Sequence, residues 1–106
     1  MTAREATRQL FARYRKIICA VTSHDEADAR LSLENLAWMC RTAEASIDDL
    51  PLDKLSRWLG FVQGCLAMRG LIDVDTERDV SRPLFHAAYA SDGGDVPATL
   101  ERAADK

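Results

Sequence analysis

Three successive segments with apolar residues at helical spacing, and no pair of alternating runs long enough to build a sheet, predict an all-α fold: a small bundle of about four helices. Composition supports the same reading. The chain has 106 residues, 47% hydrophobic and 29% charged, enough for one core in a size range where domains run to about 100–150 residues. Residues 1–91 read as that single domain. From Ser91-Asp92-Gly93-Gly94 onward the apolar density collapses, so residues 92–106 read as a mobile or loosely docked tail.

The first helix is predicted over residues 3–22. At about 100° per residue, Ala3, Leu10, Tyr14, Ile17, Ile18 and Val21 share one face, with Phe11 at its border. A second helix is predicted over about residues 30–48, with Leu33, Leu36, Cys40, Ala43 and Ile47 as its stripe and Asp28 or Ser32 as its cap. Pro51 disfavours helical geometry in the residue before it, which separates this helix from the next. The third, over about residues 51–69, has the strongest pattern: Leu52, Leu55, Leu59, Val62 and Leu66 alternate at three and four, and Gly70 stands where a C-terminal cap belongs. Leu71-Ile72-Asp73-Val74-Asp75 alternates but is too short and solitary for a sheet, so it reads as an extended connection. Thr76 to Val80 reads as a helical turn. Ser81 and Pro83 then resemble helix-start residues for a short fourth helix over Leu84 to Ala90, in which Phe85 and Tyr89 share a face.

Several function classes find no footing in the residues. A formal charge of −3 does not suit a chain that coats nucleic acid. No apolar run approaches the ~20 residues that cross a bilayer, and the N-terminus lacks a signal-peptide pattern, so a cytoplasmic, membrane-free protein is expected. Three cysteines fit a reducing compartment better than a disulfide framework. Cys19, Cys40, Cys65, His24 and His86 are potential metal ligands, but none form the close pairs of structural zinc sites. Cys40 and Cys65 read as buried small hydrophobes, whereas Cys19 lies near Arg15, which favours a thiolate. The alternating acids of residues 73–79 fail as a calcium loop, because Arg78 replaces the glycine at position six and Leu84 the glutamate at position twelve. They suit a helix N-terminus instead. Neither histidine comes with a nucleophile motif, and Gly60-x-x-x-Gly64 lies within a helix, where it allows close helix contact and cradles no phosphate. No catalytic residues, metal ligands or cofactor are assigned, and the chain is read as not an enzyme.

Two features exceed what a bundle needs. The first helix carries Arg4, Arg8, Arg13, Arg15 and Lys16 against one acid, Glu5, inside an acidic protein. The second and third helices carry apolar residues off their core stripes: Trp38 on one, and Trp58, Phe61, Cys65 and Met68 on the other. Either the bundle buries both faces, or these residues are anchors for another chain.

The run Leu55-Ser56-Arg57-Trp58-Leu59-Gly60-Phe61-Val62-Gln63-Gly64, continued by Gly70-Leu71-Ile72-Asp73-Val74-Asp75-Thr76-Glu77-Arg78-Asp79 and Ser81-Arg82-Pro83-Leu84-Phe85-His86, resembles small accessory proteins of tailed phages and prophages of Gram-negative bacteria. The resemblance covers about a third of the chain and brings no catalytic motif. It implies a small acidic protein that occupies a functional surface of a host bacterial protein, as anti-CRISPR proteins and other defence inhibitors do. On that reading Trp38, Trp58, Phe61 and Met68 are the partner-binding anchors, Arg4, Arg8 and Arg15 are charged rim residues, and a homodimer is expected. Two other classes stay open: a nucleic-acid-associated regulator using the basic first helix, and a nucleotide or second-messenger sponge in which basic residues meet phosphates and aromatics stack a base.

Overall fold

The computed structural model describes residues 1–21 and 28–91. Four α-helices make up the described residues, with no strand among them: α1 (Ala3–Cys19), α2 (Leu33–Ala45), α3 (Leu52–Met68) and α4 (Val74–Ser91). This is the all-α bundle that the periodicity predicts. His24 and the tail of residues 92–106 lie outside the described residues.

Local chemistry explains each boundary. Thr2 starts α1 with a capping box: its hydroxyl accepts from the Glu5 N–H at 3.2 Å, and the Glu5 carboxylate accepts from the Thr2 N–H at 3.4 Å. The helix stops at Cys19, short of the predicted residue 22. There the ladder tightens, with Ala20 and Val21 donating to the carbonyls of Ile17 and Ile18 three residues back. Both candidate caps of the second helix are used. Asp28 accepts from the Arg30 N–H and opens a single 3-10 turn, Ala29–Leu31; Ser32, in extended geometry, accepts from the Asn35 N–H and opens α2. The one predicted helix is therefore a turn followed by a shorter helix.

At the end of α3 the predicted glycine cap is complete in detail. Gly70 has φ of +73°, its N–H donates to the Ala67 carbonyl at 3.0 Å, and the Leu71 N–H donates to Leu66 at 2.9 Å. This double closure is a Schellman motif, and Leu71 then packs against the core beside it. The largest departure from the sequence reading is α4. The predicted turn and the short fourth helix are one continuous helix that begins eight residues before Ser81, at the Asp73 cap, and runs through Pro83. Asp73 accepts from both the N–H and the hydroxyl of Thr76 at 3.0 Å, which holds its carboxyl below the usual carboxylate range. Pro83 removes one rung of the ladder, but Val80, Leu84, Phe85 and Ala88 recur on one inward side, and their burial holds the helix together across it. Phe85 lies on this side and Tyr89 is exposed at its edge.

Helix α1 packs against each of the other three. Its Leu10, Phe11 and Tyr14 are fully buried, as are Leu36 and Cys40 of α2 and Leu55, Val62 and Leu66 of α3. Leu52, counted with the core stripe in the sequence, is exposed because it stands in the first turn of α3, beyond the end of that stripe. Polar contacts give the directions. Going back along α1 from Arg15 to Arg4, the partners advance from Glu44 to Ile47 and Leu50, so α2 runs antiparallel to α1. Arg69 at the end of α3 donates to the Leu31 carbonyl just before α2, which makes α2 and α3 an antiparallel hairpin.

Gly70→Ala is expected to destabilise the protein by about 1 kcal/mol or more in a denaturant titration, since an alanine there must hold a positive φ. Pro83→Ala is expected to act in the opposite direction by about 1 kcal/mol or more, because it restores a helical rung at an exposed position.

Candidate functional site

The α2–α3 hairpin brings the predicted aromatic anchors together. Trp38 projects from α2 directly away from its core stripe, and Trp58 sits on the α3 flank that faces α2. Their rings meet with centroids 5.9 Å apart and planes inclined at 44°, a tilted pair rather than a stack. The ammonium of Lys54, one turn before Trp58, stands 5.4 Å from the Trp58 ring centroid. Trp58 is thus half-buried between a cation and a second indole, while Trp38 remains 51% exposed. Phe61 and Met68 continue the surface along α3. Phe61 is exposed and Met68 is 89% exposed, the least covered large apolar side chain of the described residues. Leu31 is exposed beside the Arg69 end of the hairpin. The bundle therefore buries one face of α2 and of α3 and leaves the second apolar face in water.

The three arginines read as a charged rim have different situations. Arg4 donates at 2.7 Å to the carbonyls of both Ile47 and Leu50, closing the chain between α2 and α3 onto the start of α1. Arg15 makes a two-pronged pair with Glu44 of α2, at 2.7 and 3.2 Å. Arg8 is exposed. The basic character of α1 thus serves in good part to hold its neighbours, and Arg4 and Arg15 stand on the α1 side of the molecule rather than on the hairpin face.

A buried polar cluster escaped the sequence reading. Glu77, in the first turns of α4, is 6% exposed. Arg13 of α1 grips both of its oxygens, at 3.0 Å through Nε and 2.9 Å through Nη2. The hydroxyl of the neighbouring Tyr14 accepts from the Gln63 amide of α3 at 3.0 Å. One cluster therefore ties α1, α3 and α4. The Arg13 guanidinium holds the Glu77 carboxyl below the ordinary glutamate range, against the opposing effect of burial. Burial pushes the Tyr14 hydroxyl up to about 12. In the sequence Glu77 is one acid of an alternating surface-like run; the signal for it was its i, i+3 and i+4 spacing to Val80 and Ser81 on the inward side of α4.

The cysteines do not converge. Cys40 is fully buried in the core and burial pushes its thiol up to about 12; Cys65 is half-buried with its thiol also raised by burial; Cys19 is exposed. Among the described residues no three histidine, cysteine or acidic side chains come together as a metal site. No helix of the described residues is long and apolar enough to cross a membrane. Comparison with protein-family models, with curated proteins and with solved structures finds no match to this chain.

The cluster sets an acid limit on stability. Because the folded carboxyl of Glu77 ionises below its unfolded value, its contribution is complete above the ordinary glutamate range and is lost as pH falls through the lower folded value. Urea titrations of the native chain between neutrality and pH about 3 are expected to show this loss, and Glu77→Gln to flatten it. Arg13→Met, which leaves the buried carboxylate without its partner, is expected to cost about 2 kcal/mol at neutral pH, with much of it recovered in the Arg13→Met/Glu77→Leu double variant. At the alkaline end, Tyr14 contributes stability that is intact below pH about 10 and disappears as pH approaches about 12.

Proposed function

We propose that the chain is a non-enzymatic binding protein that seats the aromatic face of its α2–α3 hairpin on a bacterial host protein and blocks it stoichiometrically. The observation that carries this reading is the exposed face itself: Trp38, Phe61 and Met68 of the α2–α3 hairpin lie in water, outside the buried core. Tryptophan is among the residues that most often carry binding energy at protein interfaces, and a flexible methionine adapts to the partner's contour. The titratable groups that do converge already have partners, Arg13 and Glu77 in each other and Tyr14 in Gln63, which suits a structural tie better than acid–base chemistry. The commitment of Arg4 to backbone carbonyls and of Arg15 to Glu44 favours a protein partner over nucleic acid or a nucleotide, since both cations already have acceptors.

The resemblance to accessory proteins of tailed phages and prophages gives the proposal its setting. The partner is a component of host defence, engaged in the bacterial cytoplasm in the manner of anti-CRISPR proteins. The same face also suits a second copy of the chain, so a homodimer in the absence of the partner belongs to the proposal, and light scattering reads it directly.

Affinity capture from host lysate with the wild-type chain is expected to retain one discrete host protein at near-stoichiometric amount. Trp38→Ala combined with Met68→Ser is expected to abolish that capture while lowering the melting temperature by no more than about 5 °C, because both side chains are largely exposed. Capture of nothing above background, or equal capture by the double variant, overturns the proposal. A mobility shift with nucleic acid that weakens steeply with salt and vanishes on Arg8→Glu would replace it with the nucleic-acid reading.

A further inference from the structure

The outward face of α2 carries charge as well as the indole of Trp38. Glu34 stands one helical turn before Trp38 and Arg41 one turn after it, and all three are exposed. Their spacing puts them within about 60° of one another around the helix, with the exposed Ala45 two turns beyond Trp38 on the same side. Phe61 and Met68 of α3 extend the apolar area beside this row. Among the described residues, neither the Glu34 carboxylate nor the Arg41 guanidinium has an ion pair or a hydrogen bond. In this they differ from Arg4, Arg13 and Arg15 and from Glu44 and Glu77, whose charges are committed within the fold.

An acid, an aromatic and a base at nearly equal intervals along one helix are complementary to the same row turned end for end. If a second α2 lies antiparallel on the first about a two-fold axis at Trp38, Glu34 of each copy comes level with Arg41 of the other to within about 1.5 Å, the rise of one residue. The two indoles then meet beside the axis. A parallel arrangement sets like charges level with one another and forms neither pair. A uniformly acidic partner would leave Glu34 unmatched, and a uniformly basic one Arg41; a second copy answers both. We propose that the occupant of this face in the free protein is a second copy of the chain, docked antiparallel through α2 as an isologous dimer with Trp38 at the two-fold axis and two reciprocal Glu34–Arg41 pairs. The inference rests on the reading of the α2–α3 face as a docking surface and names the geometry that fills it when no host protein does.

Charge exchange tests the pairing on the full-length chain. Sedimentation velocity reads the mass, and fluorescence reads the face itself, because the two tryptophans of the chain, Trp38 and Trp58, both lie on it. The wild-type chain is expected to be a dimer at about 100 µM, with emission that moves to the red on dilution. Glu34→Arg turns both pairs into arginine against arginine, and Arg41→Glu turns both into glutamate against glutamate. Each is expected to weaken self-association at least about ten-fold at low salt. The double variant Glu34→Arg/Arg41→Glu, in which each pair is reversed, is expected to recover the dimer. An equimolar mixture of the two single variants is expected to do the same, and it serves as the test should the double variant fail to fold. A monomer at about 100 µM, single variants that associate like the wild type as a parallel pair would, or no recovery on charge reversal would each overturn the assignment. Lysate capture separates this from the host-protein reading: a monomer that captures a host protein overturns the dimer alone, and a charge-paired dimer that captures nothing overturns the host-protein reading alone.

Discussion

The structure depends on one helix satisfying three neighbours at once. Helix α1 turns Leu10, Phe11 and Tyr14 inward and touches α2, α3 and α4, while its cations reach sideways to whatever passes on either flank. Arg15 meets Glu44 of α2, Arg13 meets Glu77 of α4, and Arg4 meets two carbonyls between α2 and α3. Apolar contact alone sets only a preference for burial, without direction. The arginines add geometry, because a guanidinium fork matches a carboxylate in one orientation and a pair of carbonyls in another.

This arrangement explains why a chain of net negative charge carries so basic a first helix. The acids that balance α1 are not its sequence neighbours; they are Glu44, at the far end of α2, and Glu77, beyond α2 and α3, both brought alongside by packing. Glu77 can be buried because Arg13 compensates it through both carboxylate oxygens, and a charge taken from water without such a partner is expensive. Gln63 of α3 donates to Tyr14, the residue after Arg13, so two adjacent side chains of α1 hold α4 and α3.

With the core organised around α1, the far side of the α2–α3 hairpin has no helix packed on it among the described residues. Trp38 and Trp58 cover part of each other, and Lys54 covers part of Trp58, but Phe61 and Met68 stay in water. The fourth helix does not cover this surface. It packs on α1 instead, because Val80, Leu84, Phe85 and Ala88 turn that way and the Glu77 anchor fixes its start. The hairpin face is a consequence of this one choice: α4 leaves it uncovered.

Helix existence, type and core stripes were legible in the residues because they follow from local periodicity and local caps. Leu33, Leu36, Cys40 and Ala43 are buried as their spacing requires, and Gly70 ends α3 as its freedom at positive φ allows. The Trp38 anomaly was legible for the same reason, since a residue opposite a stripe points away from the core. What local pattern could not reach were the relations between distant segments. Proline chemistry argued for a break near Ser81, but burial of four side chains across it outweighs one lost rung. Arg4, Arg13 and Arg15 look alike in sequence, and only tertiary packing, by placing carbonyls or carboxylates within reach of each, decided which charge serves the fold and that an acid in a polar run is buried.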